Sequence, residues 1–362
     1  MKLIIACGGT GGHITPALAI ADTVKANVPS CQILFFGTKN GMENTLVTRA
    51  GYEIYTIEVE GLSRKNPFLL PRSLLGAKRA VKMAREQLQR LAPDIVIGTG
   101  GYACYPALAA AASLGIPTAV HESNAVPGLA VRLLAPRVSR VWLGFDAARA
   151  HLSARASICT VGNPLPAGFS YKAEGARDTR TKCVLSFGGS LGAPAINRAV
   201  LALMEETRRV PHVRHVHATG KREWEGFLRE FTARGLDRDG RIEILPFISD
   251  MPRRMREASV VVSRAGAMSI SEIAMAGRAA VLIPSPNVTG NHQLKNAAAL
   301  ARKGAAVLVE EHTLEGGALT DAVMRLLKND AERMQMESEV KRFANPLANQ
   351  AILQDIMVLS GK

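Results

Sequence analysis

The feature that most constrains the fold is an apolar run followed at once by a glycine-rich loop and a helix-forming segment. Leu3–Ala6 predicts a short buried parallel strand, and Gly8-Gly9-Thr10-Gly11-Gly12-His13 follows it. Thr15 and Pro16 then suit the N-cap and first position of a helix. The backbone amides of such a loop and the positive end of the helix dipole create an anion site. His13 stands at its mouth, where an imidazole can act as acid or base.

This loop matches neither of two widespread nucleotide-binding motifs. Ile14 and Ala17 stand where a dinucleotide fingerprint has its third glycine, and His13 and Ile14 replace the Lys and Ser/Thr of a P-loop. One glycine-rich turn after a strand is equally compatible with a purely structural turn. The order of strand, glycine loop and helix recurs at residues 94–114 and 183–194, however, and this recurrence favours a functional role.

Alternating strand and helix patterns along the 362 residues determine the fold class. Two halves that each begin with a strand and a Gly-Gly-Thr or Gly-Gly-Ser loop predict an α/β protein with two doubly wound parallel-sheet domains facing across a cleft. The closely spaced prolines and glycine of Thr160–Pro166 predict a hinge between them. Asn349–Leu359 predicts a last amphipathic helix.

The formal net charge of +14 predicts an anionic partner: nucleic acid, an anionic membrane surface or a phosphorylated substrate. Basic residues concentrate in 64–91, where the only acidic residue is Glu86. The candidate membrane contacts are Phe68, Leu69, Leu70, Arg72, Leu75, Lys78, Arg79 and Lys82. Apolar residues beside a basic helix face are typical of a surface that lies on an anionic bilayer. From the residues alone, a solvated basic helix whose apolar loop tucks into the core is the stronger alternative.

The five cysteines are an odd number without a CxxC pair, which indicates free thiols in a reducing cytosol. The apolar run after Lys2 is too short for a signal peptide, and no run approaches the length of a membrane span.

Three further polar clusters follow predicted strands. His121-Glu122-Ser123-Asn124 lies at a strand's carboxyl end, the edge where open parallel sheets bind ligands. Ser269 and Glu272 have capping-box spacing, although the Glu272 carboxylate could instead accept two ribose hydroxyls. The amides and hydroxyls of residues 287–293 suit a sugar.

Taken in order, these segments closely resemble the MurG family of glycosyltransferases, glycosyltransferase family 28. The resemblance runs through the loops at 8–13, 98–101, 121–124, 161–164 and 188–193 and the segments at 264–272 and 291–297. It implies a GT-B fold with domains at 1–162 and 163–342 and a C-terminal helix, 343–362, crossing back onto the first domain. It also implies an inverting transfer of GlcNAc from UDP-GlcNAc to the C4 hydroxyl of the MurNAc of lipid I, giving lipid II. No metal ion or other cofactor is expected.

The resemblance also assigns site residues. His13 is the leading candidate for the general base and Glu122 the second; Ser190 would face the diphosphate, Ile248 the uracil and Glu272 the ribose. The implied donor-binding residues are Thr10, Gly11, Gly12, Asn124, Ser190, Ile248, Ala267, Met268, Ser269, Glu272, His292 and Gln293. The implied acceptor-diphosphate residues are Gly9, Thr10, Gly11, Gly12, Gly100, Gly101 and Tyr102.

The same resemblance reverses the interpretation of residues 64–91, because a lipid-linked acceptor requires an enzyme at the membrane face. We therefore expect a peripheral protein on the cytoplasmic face of the cell membrane, with cell-wall synthesis proteins as possible partners and no nucleic acid. The chain departs from the family pattern at Ser123 and Leu191, where Gln is usual, and at Pro166, where Arg is common.

Several rival functions remain open at this point. Asp237-Arg238-Asp239 has the letters of a metal-binding GT-A motif but lies in a charged stretch typical of a surface. His212, His215 and His217 could suggest a metal site, yet no Cys or carboxylate stands at ligand spacing. A nucleic-acid binder lacks interleaved aromatics or a recognition helix. The nearest rival is a nucleotide-sugar epimerase of the same fold, such as a UDP-GlcNAc 2-epimerase.

Overall fold

The computed structural model describes residues 1–57, 70–169, 181–189 and 192–362, without the side chains of residues 70–74 and 289. Within them the chain forms two compact units, residues 1–167 with 347–362 and residues 168–346. The domain boundaries drawn from the sequence, at 162/163 and 342/343, stay predictions.

The first unit is built on a seven-stranded parallel sheet. Its strands are β1 (Lys2–Ala6), β2 (Gln32–Thr38), β3 (Glu53–Ile57), β4 (Ile95–Gly98), β5 (Thr118–Glu122), β6 (Arg140–Leu143) and β7 (Ile158–Thr160). They are hydrogen-bonded in the order β3-β2-β1-β4-β5-β6-β7. Its helices are α1 (Gly11–Asn27), α2 (Glu43–Arg49), α3 (Leu70–Leu91), α4 (Cys104–Ser113) and α5 (Leu129–Leu134). After Lys2, β1 is apolar and buried because helices cover both faces of the sheet.

The second unit repeats the design around six parallel strands. These are β8 (Lys182–Phe187), β9 (Val213–Ala218), β10 (Ile242–Leu245), β11 (Val260–Ser263), β12 (Ala279–Leu282) and β13 (Val307–Leu308), in the order β10-β9-β8-β11-β12-β13. The helices are α6 (Pro194–Thr207), α7 (Trp224–Ala233), α8 (Met251–Glu257), α9 (Ala267–Ala276), α10 (His292–Ala301), α11 (Ala318–Lys328) and α12 (Asp330–Lys341). In both sheets the strand order reverses beside the strand that opens the unit, which is where doubly wound folds bind ligands.

The last helix, α13 (Ala348–Leu359), belongs to the first unit and packs on α1. Ile352 and Ile356 are buried in the core of that unit. The Asp355 carboxylate accepts hydrogen bonds from Trp142 Nε1 (2.6 Å) and Arg140 Nε (2.9 Å) on β6. The helix is therefore held on the sheet by these polar contacts in addition to its buried apolar face.

The Thr160–Pro166 segment, predicted as a hinge, lies inside the first unit. Residues 161–165 are buried, and Asn163 Nδ2 donates to the Ser123 carbonyl (3.2 Å). The amide of Leu165 donates to Asn349 on α13 (3.0 Å). The prolines and glycine of this segment shape a packed turn beside β5, and the first unit continues to Ala167. A hinge at this segment stays a prediction.

Candidate active site

The first glycine loop leads directly into α1, which begins at Gly11 with Thr10 as its N-cap. The Thr10 carbonyl accepts from the amides of His13 (3.0 Å) and Ile14 (3.2 Å), so the first turn forms on the glycines themselves. The predicted helix start at Thr15 and Pro16 is therefore wrong, and Pro16 lies inside the helix. Because the first amides of a helix have no acceptor within it, those of Gly11 and Gly12 suit an anion.

The His13 imidazole is oriented by the backbone of its own loop. Its Nδ1 lies 3.0 Å from the Gly8 carbonyl oxygen and 3.4 Å from the Thr10 hydroxyl. A carbonyl oxygen only accepts, so the proton of neutral His13 sits on Nδ1. Nε2 therefore carries the lone pair, as a general base requires.

The loop after β4 packs directly on the first loop. The Thr99 hydroxyl donates to the His13 carbonyl (2.8 Å). A Cβ at Gly100 would lie 2.6 Å from His13 Cδ2, and one at Gly101 would collide with the Gly8 backbone. Both glycines also have positive φ, +103° and +86°, so they are required by conformation and by space. The structure thus brings the predicted acceptor loops together, with Tyr102 exposed beside them.

Sequence reasoning missed Glu43, the first residue of α2, whose side chain lies under the first glycine loop and is fully buried. Its carboxylate accepts from the Gly9 amide (3.1 Å), the Thr38 amide (2.8 Å) and the Thr38 hydroxyl (2.6 Å). Burial by itself raises the pKa of Glu43, but these hydrogen bonds outweigh it and leave the pKa below its usual value. No spacing signal could have found this residue, because its glycine partner is 34 positions away.

Glu122 and Asn124 form a second polar group at the end of β5. The Glu122 carboxylate, only 5% exposed, accepts from the Asn124 amide (2.9 Å), Asn124 Nδ2 (3.0 Å) and the Gly128 amide (2.8 Å). These contacts hold the loop before α5 and fix the Asn124 side chain. Neighbouring His121 is buried, which lowers its pKa to about 4 and keeps it neutral.

In the second unit, α9 begins at Ala267 with Gly266 as its N-cap. Ser269 is then the third helical residue and Glu272 the sixth, so the predicted capping box is wrong. Among the described residues none donates a hydrogen bond to the Glu272 carboxylate, and burial raises its pKa to about 8. The start of the helix leaves this carboxylate available to a ligand, which favours the ribose interpretation.

The remaining predicted donor residues lie at the carboxyl end of the second sheet. Ala267 and Met268 open α9, and His292 and Gln293 open α10. Gln293 Oε1 accepts from the Ser285 amide (2.9 Å), which leaves its Nε2 as a donor. Ile248 is buried in the segment between β10 and α8. The predicted contact Ser190 lies outside the described residues, as does Leu191, where the chain departs from the family pattern. The candidate membrane contacts Phe68 and Leu69 lie outside them too.

The predicted membrane face of α3 is exposed where its side chains are described. On the opposite side of the helix, Ala80, Ala84 and Leu88 are buried in the core of the first unit. Leu75 is 59% exposed. Lys78, Arg79 and Lys82 are exposed as well. The side chains of Leu70 and Arg72 lie outside the described part. No helix in the described ranges is both long and apolar enough to cross a bilayer.

The residues that suggested a metal site, among them His215, His217 and Asp239, make hydrogen bonds and ion pairs within the second unit. Ser186 Oγ lies 2.9 Å from His215 Nε2 and 2.8 Å from His217 Nδ1, all three buried in the second sheet. Burial lowers the pKa of each histidine to about 3. Asp239 pairs with Arg241 at the surface (2.7 Å). Across the described residues, no three His, Cys, Asp or Glu side chains cluster as metal ligands.

Comparison with known proteins agrees with this arrangement. The glycosyltransferase family 28 N-terminal domain matches residues 3–143, and the glycosyltransferase family 28 C-terminal domain matches residues 183–352. A relative from Limosilactobacillus fermentum is 35% identical over 361 residues, 98% of this chain and 97% of the relative. It is named UDP-N-acetylglucosamine--N-acetylmuramyl-(pentapeptide) pyrophosphoryl-undecaprenol N-acetylglucosamine transferase.

Solved structures agree as well. The crystal structure of Acinetobacter baumannii MurG aligns with a TM-score of 0.78 and 30% identity over 99% of both chains. A UDP-GlcNAc 2-epimerase from Neisseria meningitidis aligns with a TM-score of 0.67 but 13% identity, over 99% of this chain and all of the epimerase. That second likeness shows the fold alone, so the epimerase alternative is not favoured. The chain belongs to glycosyltransferase family 28, with the GT-B fold, and within it to the MurG-type N-acetylglucosaminyltransferases.

Proposed function

We propose that this protein transfers GlcNAc from UDP-GlcNAc to the C4 hydroxyl of the MurNAc of lipid I, with inversion at the anomeric carbon. The observation that carries the mechanism is the hydrogen bond between His13 Nδ1 and the Gly8 carbonyl, because it leaves Nε2 as the basic nitrogen. Relatives named for this reaction support the choice of substrates.

In the proposed step, His13 Nε2 takes the proton of the C4 hydroxyl as its oxygen attacks the anomeric carbon. The bond from that carbon to the UDP oxygen breaks, and its electron pair stays on the diphosphate. The first turn of the helix that opens with Ala267 offers backbone amides to the developing charge, and we propose that Ser190 faces the diphosphate. We infer that no metal ion is needed, because amides and helix dipoles can stabilise this leaving group.

We propose that the acceptor binds at the two packed glycine loops. The free amides at Gly11 and Gly12 support binding of the lipid-linked diphosphate, beside Gly100 and Gly101. Glu272 and Gln293 offer hydrogen-bonding groups to the donor ribose and sugar, and Asn124 offers one near the transferred sugar. Glu122 is the less suitable base, because both of its carboxylate oxygens already accept hydrogen bonds from its own loop.

The exposed basic face of α3 supports a location on an anionic membrane surface, where the lipid-linked acceptor resides. We propose peripheral binding at the cytoplasmic face, through Leu75, Lys78, Arg79 and Lys82 and the neighbouring residues 68–72. We also propose cell-wall synthesis proteins as partners, and nothing in the described fold favours nucleic acid.

The test is transfer of labelled GlcNAc to a lipid I analogue in the presence of EDTA, comparing the wild type with His13→Ala. We expect turnover to withstand EDTA and the variant to lose about a hundredfold or more. A wild type that turns over UDP-GlcNAc alone without transferring it would refute the transferase. A nearly normal His13→Ala variant would move the base elsewhere, with Glu122 next to be tested.

A further inference from the structure

The peptide group between Gly8 and Gly9 is hydrogen-bonded at both ends. Its N–H donates to Glu43 Oε2 (3.1 Å), and its carbonyl accepts from His13 Nδ1 (3.0 Å). A single planar amide therefore lies between a buried carboxylate and the imidazole. Hydrogen bonds in such a chain polarise one another: donation to an anion makes the carbonyl of the same peptide a stronger acceptor.

The carboxylate at one end of this chain is held in place. Glu43 Oε1 accepts both the amide and the hydroxyl of Thr38, so the Gly9 amide occupies the other oxygen. The backbone closes around the group, since a Cβ at Gly8 would lie 2.6 Å from Oε1 and one at Gly37 would lie 2.7 Å from Cγ. The hydrogen bonds keep the pKa of Glu43 low despite its burial, and the group is ionised at neutral pH.

We propose that Glu43 is a positioning residue for the base, acting on His13 through the Gly8–Gly9 peptide. Its negative charge strengthens the Gly8 carbonyl as an acceptor, which holds the proton on Nδ1 and the lone pair on Nε2. The same charge stabilises the imidazolium that forms when Nε2 takes the proton of the acceptor hydroxyl. This inference rests on the proposed function, in which His13 is the general base.

A neutral side chain of the same shape cannot replace this arrangement. Each oxygen of Glu43 accepts a backbone N–H, from Thr38 on one side and Gly9 on the other. In Glu43→Gln, either orientation of the amide sets an NH2 group against one of those donors. The substitution therefore removes the charge and opposes one of the two hydrogen bonds, while the side-chain volume stays nearly constant.

Few other titratable groups face this chain of hydrogen bonds. Burial raises the pKa of the Cys7 thiol, which directly follows β1, and the nearby Glu43 and Cys104 raise it further. Burial raises the pKa of Cys104 on α4 to about 12, with Glu122 on β5 contributing in the same direction. Both thiols stay neutral across the pH range of an activity assay. A pH response between pH 5 and 8 at this place is therefore assigned to His13.

The experiment is ¹⁵N NMR of the full chain labelled at histidine, with His13→Ala identifying the His13 signals. In the wild type we expect the proton of neutral His13 on Nδ1. In Glu43→Gln we expect partial transfer of that proton to Nε2 and a His13 pKa lower by about half a unit to one unit. The matched control is Thr38→Val, which removes one hydrogen bond to Glu43 but keeps its charge and its contact with Gly9.

Kinetics supply the second measurement. In Glu43→Gln, the acid limb of kcat/KM should move to lower pH by the same amount as the His13 pKa. The plateau should fall by about twofold to fivefold, because the base is weaker. Thr38→Val should leave the acid limb in place. Loss of folded protein lowers the plateau but does not move the limb. If Glu43→Gln fails to fold, Glu43→Asp replaces it. The carboxylate of Asp is one methylene shorter and is drawn away from the Gly9 amide, so we expect a shift of tautomer and pKa in the same direction.

The possible results are distinguishable. Wild-type His13 protonated on Nε2, or a Glu43→Gln variant with unchanged tautomer and pKa, overturns the role of Glu43 and leaves the base assignment standing. A Glu43→Asp variant with the wild-type tautomer and pKa, used in its place, overturns the role of Glu43 in the same way. A near-normal turnover of His13→Ala overturns the base itself, whatever the NMR spectrum shows.

Discussion

The Glu272 carboxyl provides the sharpest test of the donor site, because binding and pH are coupled there. Burial raises the pKa of Glu272 to about 8, and no described residue donates a hydrogen bond to it. If the two ribose hydroxyls donate to this group, UDP-GlcNAc binds best to the ionised form. At pH 7 only about a tenth of the free protein carries that form, since each unit below the pKa reduces it about tenfold.

Affinity for UDP-GlcNAc should therefore rise about tenfold per unit between pH 6 and 8 and level off above pH 8. Binding at pH 7 should release close to one proton, because the ligand draws the site into its ionised form. The assay is isothermal titration calorimetry in two buffers of different ionisation enthalpy, without acceptor. UDP-GlcNAc is a suitable ligand because its diphosphate diester does not titrate in this range.

Glu272→Gln should remove both the pH slope and the proton release, and weaken binding at pH 9 by about tenfold to a hundredfold. It should also stabilise the free fold at pH 8, since a raised carboxyl pKa reduces stability as pH increases from the unfolded value toward the folded one. The matched control is Glu206→Gln, at a surface ion pair with Arg209. A wild-type affinity that does not change with pH would refute the reasoning, as would a variant with the wild-type slope.

Two other predictions concern the first unit. Asp355→Ala should leave the buried Trp142 N–H without its acceptor and remove two hydrogen bonds of the Arg140 guanidinium, which keeps only its bond to Ser157. The cost should be about 1–3 kcal/mol, a fall of several degrees in thermal unfolding. Exposed Gln354→Ala is the control, and an equal Tm in both variants would contradict the prediction. Lys78→Glu with Lys82→Glu should weaken binding to vesicles of anionic lipid about tenfold or more without changing transfer to a water-soluble acceptor; unaltered vesicle binding would remove α3 from the proposed membrane face.

The parts of the structure that the sequence predicts well are those governed by local pattern. Apolar runs such as Leu3–Ala6 are buried strands, and the alternation of strands and helices is sufficient to assign the doubly wound class. The weakly apolar β7 strand (Ile158–Thr160) was missed, because it is short and lies at the sheet edge with only partial burial.

Helix starts were harder to predict, for a shared physical reason. The letters at Thr15-Pro16 and at Ser269 with Glu272 fit a helix N-terminus, yet both helices begin earlier, at Gly11 and Ala267. In both places the chain leaves a strand and turns back over the sheet. The backbone geometry of that turn decides the residue at which the helix begins. The cap preferences, worth about 1 kcal/mol, did not set the register.

Site residues divide in the same way. His13 was found because its loop is a local motif, but its tautomer depends on the Gly8 carbonyl, and that contact requires the folded loop. Glu43 was not found at all, since its hydrogen-bond donors, Gly9 and Thr38, lie at or just after the ends of two neighbouring strands. Buried polar groups with distant partners are the part of an active site that one sequence conceals.

The placement of α13 in the first unit has a consequence for synthesis on the ribosome. Residues 168–346 form one continuous unit, so they can complete their fold as soon as they emerge. The first unit, although it is translated first, lacks the helix that covers α1 and binds Arg140 until residues 347–362 arrive. The surface of the first unit that α13 covers therefore stays exposed until the last residues of the chain have been synthesised. A nascent chain stalled when residue 346 has left the ribosomal tunnel but residues 347–362 are still inside it should show protease resistance in its second half and susceptibility in its first.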